Sequence, residues 1–163
     1  MSIPDKIRKP IIALVISAAG LGGIAVHEGY RDKAYIPVLG DVPTIGFGNT
    51  TYSDGSKVQL GDKITRKEAT ELLGNTVSVF EKQIKACVKV PLAQNEYDAF
   101  VSLTYNIGGQ AFCSSTLVKK LNAYDYEGAC NEILKWDKFR GKPLPGLTKR
   151  RQQENKQCLK DVE

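Results

Sequence analysis

Glu28 is the residue of this chain whose setting most favours acid–base chemistry. Sixteen consecutive uncharged residues, from Ile11 to Val26, end just before it. Apolar surroundings disfavour the charged form of a carboxyl and suit it to donating a proton near neutral pH. The alternative is an exposed glutamate at a helix C-terminus, where the helix dipole is unfavourable for an anion. The sequence therefore indicates Glu28 as a general acid.

A turn-rich stretch after Glu28 carries further polar candidates. Asp41, Thr44 and Asn49 lie in a segment rich in Gly, Pro, Asp and Thr. The alternation TIGFG that starts at Thr44 is typical of a short strand, and Ser53-Asp54-Gly55 is typical of a turn. A carboxyl at a helix end that faces polar groups on a hairpin would form a cleft between two lobes. Such a cleft suits the cleavage of a bond in an extended polymer.

The remaining elements supply the scaffold for this hairpin. Thr65 and Glu68 have the spacing of a capping box, and the apolar residues that follow predict a connecting helix over about 65–86. Apolar stripes over about 91–161 predict a helical lobe, and such stripes are more typical of a core than of a cofactor site. The predicted fold class is α+β, mainly α, with a small hairpin lobe over about 35–62.

Composition limits the classes of partner. The chain has 163 residues, of which 42% are hydrophobic and 25% charged, and its net charge is +5. These values indicate one globular domain with two lobes and an anionic partner, such as a nucleic acid, anionic lipid or an acidic cell-wall polymer. The chain has no Arg-rich tract, zinc-finger spacing or phosphate-binding loop. We therefore expect no nucleic-acid partner, no metal and no cofactor.

The four cysteines all lie in the second half of the chain, and none belongs to a CxxC motif. This pattern argues against zinc and against a dithiol redox site, and it favours two disulfides in an exported protein. Four buried reduced thiols are the alternative. Spacing alone leaves three possible connectivities.

The N-terminal segment is typical of a secretory signal or signal anchor, since Lys6, Arg8 and Lys9 precede the apolar run. Eight of the sixteen residues in the run are Gly, Ala or Ser. A helix of that length covers about 24 Å, less than the roughly 30 Å of a hydrocarbon core. A cleaved signal peptide, a buried core helix and a weak anchor that later leaves the membrane all remain open. We favour the weak anchor, because late cleavage would remove the helix that supports Glu28.

Several motifs resemble the phage-type lysozymes, the endolysin family related to the phage T4 enzyme. They span about residues 27 to 160. In chain order the motifs are Glu28-Gly-Tyr-Arg, Ala34-Tyr35, Pro43-Thr-Ile-Gly-Phe-Gly48, Tyr105-Asn-Ile-Gly-Gly109 and Gly146-Leu-Thr-Lys-Arg-Arg-Gln-Gln-Glu154.

The resemblance implies a two-lobed lysozyme fold and a muramidase that cleaves the β-1,4 bond between N-acetylmuramic acid and N-acetylglucosamine. Glu28 matches the family's acid, and Thr44 matches the threonine that would hold the attacking water. Either Arg150 or Arg151 matches an arginine that pairs with the acid. Such enzymes are similar to inverting glycosidases, whose two carboxyls lie about 6.5–9.5 Å apart. Tyr35 and Asn106 belong to matching motifs and are expected to support the site.

One departure concerns the second carboxylate. The family pattern places Asp or Cys nine residues after the acid, but this chain has Pro37 there, and its loop is one residue longer. Asp41 is the nearest replacement, although Gly40-Asp41 is also a common turn sequence. Asp32 is a weaker candidate that fits a surface ion pair, and His27 more plausibly contacts the helix C-terminus than serves as a base.

The resemblance also implies the disulfides Cys87–Cys113 and Cys130–Cys158. The N-terminal segment resembles the anchor of the signal-arrest-release endolysins. This predicts an anchor segment over 1–27 and a catalytic domain over 28–163. The host secretion machinery would export the chain, residues 10–27 would tether it to the inner membrane, and release would leave a monomer in the periplasm. Residues 1–86 contain no cysteine, so control by disulfide exchange in the anchor is not matched and regulation would be steric.

Three other functions remain open at this stage. The missing carboxylate at position 37 leaves room for a non-catalytic peptidoglycan-binding protein on the same scaffold. The apolar N-terminus leaves room for a protein that disrupts membranes. A lytic transglycosylase, which would leave anhydromuramic ends, is the related chemical alternative.

Overall fold

A computed structural model describes residues 6–161 of the chain, and these residues form two compact units. The helical unit contains the residues up to Gly20 together with those from Phe80 onward, and the hairpin unit is Leu21–Val79. The first part of the N-terminal segment, up to Gly20, belongs to the helical unit. The functional roles assigned to 1–27 and 28–163 stay predictions.

The described chain is mainly helical, with two small antiparallel sheets, which confirms the predicted fold class. The strands are β1 (Arg31–Tyr35), β2 (Thr44–Gly46), β3 (Lys138–Phe139) and β4 (Lys142–Pro143). Single 3-10 turns lie at Ile11–Ala13 and Ile133–Lys135. The helices are α1 (Ala18–Glu28), α2 (Arg66–Cys87), α3 (Gln94–Ile107), α4 (Gly109–Cys113), α5 (Thr116–Asn122), α6 (Tyr126–Glu132) and α7 (Pro145–Leu159).

The hairpin unit is built around the pairing of β1 with β2. Tyr35 lies opposite Thr44, and Arg31 lies opposite Gly46, with a bulge between the two pairs. The other edge of β1 bonds the segment before α2, where the Ile64 amide donates to the Asp32 carbonyl at 2.8 Å. The capping box predicted at Thr65 and Glu68 is present, with both bonds 3.1 Å long. The core of this unit includes Ile24, Ile45, Phe47, Val58, Leu72, Leu73 and Val77.

The core of the helical unit includes Tyr97, Phe100, Val101 and Leu103 of α3, Phe112 of α4, Leu117, Val118 and Leu121 of α5, and Ala129 of α6. Two disulfides close this unit: Cys87–Cys113 joins the end of α2 to α4, and Cys130–Cys158 joins α6 to α7. The pairs are those implied by the family resemblance. Each closes a loop with a sequence separation of 26 or 28 residues. Loops of that length correspond to about 3–4 kcal/mol of chain-entropy stabilisation per bridge.

The apolar run at the N-terminus does not form one continuous helix. A 3-10 turn covers Ile11–Ala13, residues 14–17 are outside any helix, and α1 begins at Ala18. Lys9 and Leu92 exchange two backbone hydrogen bonds of 2.8 and 3.0 Å, and Leu14 is only 2% exposed. These contacts join residues 9–14 to the helical unit, while the side chains of Ile12 and Val15 are exposed. In the described part of the chain, no helix combines the length and apolar character needed to cross a membrane.

Candidate active site

Glu28 is the last residue of α1, and its carboxylate lies against the turn that follows β2. A Cβ atom placed on Gly48 would lie 2.7 Å from Glu28 Oε2. Gly48 also has a φ of +80°, a left-handed conformation that side chains rarely adopt. Glycine at position 48 thus serves two purposes, because it forms the turn and leaves room for the Glu28 carboxylate.

Thr44 opens β2, four residues before Gly48. It is only 6% exposed, and its hydroxyl donates to the Val42 carbonyl at 3.2 Å. Tyr35 lies opposite it across the strand pair and is partly exposed. The structure therefore brings Glu28, Tyr35 and Thr44 into one small hairpin unit. Asn49, the remaining polar candidate of this stretch, is buried and donates to the Thr76 hydroxyl at 2.9 Å, so its amide braces the hairpin against α2.

Asp41 lies in the exposed loop between β1 and β2. Its Oδ1 accepts from the Val42 amide at 2.8 Å, and its own amide donates to the Val38 carbonyl at 3.0 Å. These bonds are typical of an aspartate in a turn. The loop also exposes aliphatic side chains, including Leu39, which is 98% exposed. The role of Asp41 as the second catalytic carboxylate stays a prediction.

Arg150, Arg151 and Asn106 lie in the helical unit, where the two arginines are buried. Arg151 is fully buried and donates to the Asn106 side-chain oxygen at 2.8 Å and to the Trp136 carbonyl at 3.3 Å. Its Nε lies 2.6 Å from a carboxylate oxygen of Glu154. Arg150 donates to the Ser102 carbonyl at 3.1 Å. These contacts give both guanidiniums a structural role in the core of this unit.

Glu154 is the counter-charge of this cluster, and the family motif contained it without assigning it a role. Burial raises its pKa, while the guanidiniums of Arg151 and Arg150 act in the opposite direction. A buried ion pair that loses one partner leaves an uncompensated charge, which is strongly destabilising. The cluster therefore makes the helical unit depend on its arginines for stability.

Sequence reasoning missed three acidic residues that bind the N-terminal segment. Glu96 is 1% exposed and accepts from Arg8 at 2.9 and 3.0 Å. Glu81 and Asp98 bind backbone amides of residues 16 and 17. The available signal was two acidic residues flanking the buried Tyr97 in an otherwise apolar stripe of α3. Their partners are more than 60 residues away in sequence, so no local pattern could identify them.

The described residues contain no group of three or more His, Cys, Asp or Glu side chains placed to hold a metal ion.

Comparisons with known proteins agree on one family. The family described as "Phage lysozyme" matches residues 25–154. The chain is 46% identical over 143 residues to an endolysin of Acyrthosiphon pisum secondary endosymbiont phage 1, covering 85% of this chain and 94% of that one. It is 31% identical over 166 residues to a SAR-endolysin of Enterobacteria phage P21, covering 96% and 98%. An endolysin structure from Escherichia coli O157:H7 phage FAHEc1 superimposes with a TM-score of 0.82 at 36% identity, covering 92% and 96%.

Proposed function

The chain belongs to the phage lysozyme family, and on that premise we propose that it is an endolysin that lyses the host cell. Its reaction is hydrolysis of the β-1,4 bond between N-acetylmuramic acid and N-acetylglucosamine in peptidoglycan. The observation that carries this proposal is the Glu28 carboxylate at the end of α1, lying against the Gly48 turn of the hairpin that Thr44 opens. The net charge of +5 favours a polymer rich in carboxylates.

Glu28 acts as the general acid. It gives its proton to the glycosidic oxygen as the bond between that oxygen and the anomeric carbon breaks. A water held by Thr44 attacks the anomeric carbon from the opposite face, and Asp41 accepts the proton that this water loses. The products are a free hydroxyl on one sugar and an inverted reducing end on the other. Inversion requires the two carboxyls to be far enough apart for water to fit, about 6.5–9.5 Å.

Four residues have supporting roles in this proposal. Tyr35 lies opposite Thr44 and holds the strand that carries it. Asn106 orients Arg151 through their 2.8 Å hydrogen bond. The pairing of Arg150 or Arg151 with the acid, which the resemblance implies, stays a prediction.

The cellular route is part of the same proposal. The host secretion machinery exports the chain, and residues 10–27 tether it to the inner membrane on the periplasmic side. The enzyme is then released into the periplasm as a monomer. Two observations support this route: the relative named a SAR-endolysin aligns with 96% of the chain, including the N-terminal segment, and half of the apolar run is Gly, Ala or Ser.

The test of the proposed chemistry is Glu28→Gln against Glu71→Gln. Glu71 is an exposed glutamate of α2 and serves as the matched control. Clearance of outer-membrane-stripped cells should fall by about 10²–10⁴ for Glu28→Gln, because a positioned general acid contributes that much. The control should clear cells at the wild-type rate. If Glu28→Gln clears cells as fast as the control, the protein is a binder or a membrane-disrupting protein and the enzyme proposal is wrong.

Mass spectrometry of the released muropeptides tests the reaction type and the second carboxylate together. Reducing ends are expected from the wild-type protein, whereas anhydromuramic ends would identify a transglycosylase. Asp41→Asn should release the same products at a rate lower by about 10² or more. An unchanged rate for Asp41→Asn would remove Asp41 from the mechanism and leave it as a turn residue.

A further inference from the structure

Three side chains of the helical unit bind the backbone of residues 15–17, and we call Glu81, Gln94 and Asp98 the dock. Glu81 Oε1 accepts from the Ile16 amide at 2.7 Å, and Asp98 Oδ1 accepts from the Ser17 amide at 3.1 Å. Gln94 Nε2 donates to the Val15 carbonyl at 2.9 Å. The Ser17 hydroxyl donates to the other carboxylate oxygen of Asp98. The dock thus satisfies consecutive backbone groups of one short segment.

The dock is itself held in place by buried neighbours. Asp98 is 4% exposed and also accepts from Gln94 at 2.9 Å. Tyr97 is fully buried, and its hydroxyl donates to Glu81 at 2.8 Å. Burial and the Glu81 carboxylate raise the pKa of Tyr97, so the phenol stays protonated and remains a donor. Replacing Asp98, the buried member of the dock, therefore leaves the Ser17 amide and hydroxyl without these partners, whereas Gln94 lies at the exposed edge of the dock.

The dock binds residues 15–17 only when they are not helical. In an α-helix each amide donates to the carbonyl four residues earlier, so the amides of Ile16 and Ser17 would be used within the helix. In this fold residues 14–17 lie outside any helix, and their polar groups point to the dock. The same apolar run inside a bilayer would have to bond its own backbone groups. The dock therefore discriminates between the two conformations of the segment.

The dock also defines where α1 begins. The Ser17 hydroxyl accepts from the Gly20 amide at 3.0 Å, which is the bond of a helix N-cap. Gly20 packs against Asp98, the residue that binds Ser17. A Cβ atom at position 20 would lie 2.7 Å from the carboxyl carbon of Asp98. Any side chain there would displace a carboxylate that is already fixed by three hydrogen bonds. Gly20 is needed for close approach to the dock.

Without the dock, α1 is a weak helix. It has 11 residues, three of which are glycine. Isolated helices shorter than about 12–15 residues are marginal even with better helix formers, and each glycine weakens them further. Glu28 is the last residue of this helix. Its placement therefore depends on contacts that hold α1 in its folded form.

We propose that Asp98 and Glu81 are positioning residues for Glu28: they bind the unwound residues 15–17, fix the N-cap of α1, and so keep this helix folded. The inference rests on the proposed function, since it takes Glu28 as the acid. The partner of the dock is residues 15–20 of the same chain. Both carboxylates act through α1.

The sharpest test compares Gly20→Ala with Gly22→Ala. Both changes raise the intrinsic helix propensity of α1 equally. A Cβ at position 20 meets the Asp98 carboxylate, whereas a Cβ at position 22 meets nothing within 4 Å. We expect amide hydrogen exchange over residues 18–28 to be faster by about tenfold or more in Gly20→Ala. In Gly22→Ala it should be unchanged or slower, by at most about fivefold. Equal protection in the two variants would overturn the proposal.

Kinetics of the same two variants separate positioning from substrate binding. Gly20→Ala should lower kcat by about tenfold or more with KM within about twofold, because the acid is misplaced while the glycan contacts remain. Gly22→Ala should keep both values. Glu28→Gln should lower kcat by about 10²–10⁴ without changing exchange in α1. If Glu28→Gln stays active, the proposed function is wrong. The hydrogen-exchange data would still test whether the dock keeps α1 folded.

Asp98→Ala and Ser17→Ala test the dock directly, and Ser17→Thr is the conservative rescue. Asp98→Ala should show the largest increase in exchange over residues 18–28. Ser17→Ala should follow the same direction with a smaller effect, and Ser17→Thr should restore protection because it keeps the hydroxyl. If Asp98→Ala does not fold, the two Ser17 variants decide the matter. Wild-type exchange and kcat in Ser17→Ala would then overturn the proposal.

Discussion

The two compact units treat charged side chains in opposite ways. The helical unit buries them against ion-pair or hydrogen-bond partners, with Arg151 at 0% exposure, Glu154 and Glu96 at 1% and Asp98 at 4%. In the hairpin unit, whose residues are all described, the buried polar side chains are Thr44 and Asn49, and neither carries a charge. Buried charges need partners and hold a structure together, whereas charges near solvent remain able to exchange protons. Buried charged side chains therefore stabilise the helical unit, whereas the charged side chains of the hairpin unit are available for chemistry.

Replacing Arg151 should produce the largest change in stability. Arg151→Met removes the guanidinium that contacts Glu154 and its hydrogen bonds to Asn106 and Trp136, so the free energy of unfolding should fall by about 3–5 kcal/mol. Arg31→Met is the counterpart in the hairpin unit, where the arginine is exposed, and it should cost less than about 1 kcal/mol. Urea unfolding measures both. Similar losses for the two variants would break the comparison between the units.

Replacing Gly48 should reduce activity more than stability. Gly48→Ala introduces a Cβ that collides with the Glu28 carboxylate, and a displacement of about 1 Å can lower the rate by about 10²-fold. Gly55→Ala is the control, since its φ of +87° imposes the same backbone strain with nothing within 4 Å of the new atom. Cell-clearing rates together with unfolding curves separate the two effects. Equal rates for the two variants would show that Glu28 does not depend on this turn.

Replacing Glu132 should produce the smallest change in stability, and that change should depend on pH. Hydrogen bonds from Lys120 and then Lys135 lower the pKa of this buried carboxyl. The folded-state pKa is therefore below the unfolded value of about 4.3, so the stabilisation is present above that pH and is lost as pH falls through the folded-state pKa. Glu132→Gln should lower the urea midpoint at pH 7 by at most about 0.5 M, since both lysines are substantially exposed. The wild-type and variant midpoints should converge once the pH is below the folded-state pKa of Glu132. A gap that persists there would mean that Glu132 acts through packing.

The sequence was most informative where the relevant contacts are local or lie within a motif. The α2 capping box, the β1–β2 hairpin and the position of Glu28 at a helix end all follow from short spacings. The two disulfides followed from family resemblance, because spacing alone left three connectivities. The break in the apolar run at residues 14–17 could not be predicted from the run itself. It depends on Glu81 and Asp98, whose identity as partners appears only when distant helices pack.

The assignment of Asp41 shows the same limit at a shorter range. The sequence offered a catalytic carboxylate and a turn residue as alternatives, and the structure displays the turn hydrogen bonds. The proposed mechanism gives the same carboxylate a second role, as the base that accepts a proton from the attacking water. The muropeptide experiment addresses that question directly.

The separation in sequence between the dock and residues 15–17 determines the order in which they are synthesised. Ser17 and Asp98 are 81 residues apart. At a synthesis rate of about 5–20 residues per second, Asp98 is made roughly 4–16 s after Ser17. During that interval the N-terminal segment exists and its folded partner does not. On the proposed route, a bilayer can take up the segment during this interval, and the dock competes for it only after α3 has been made.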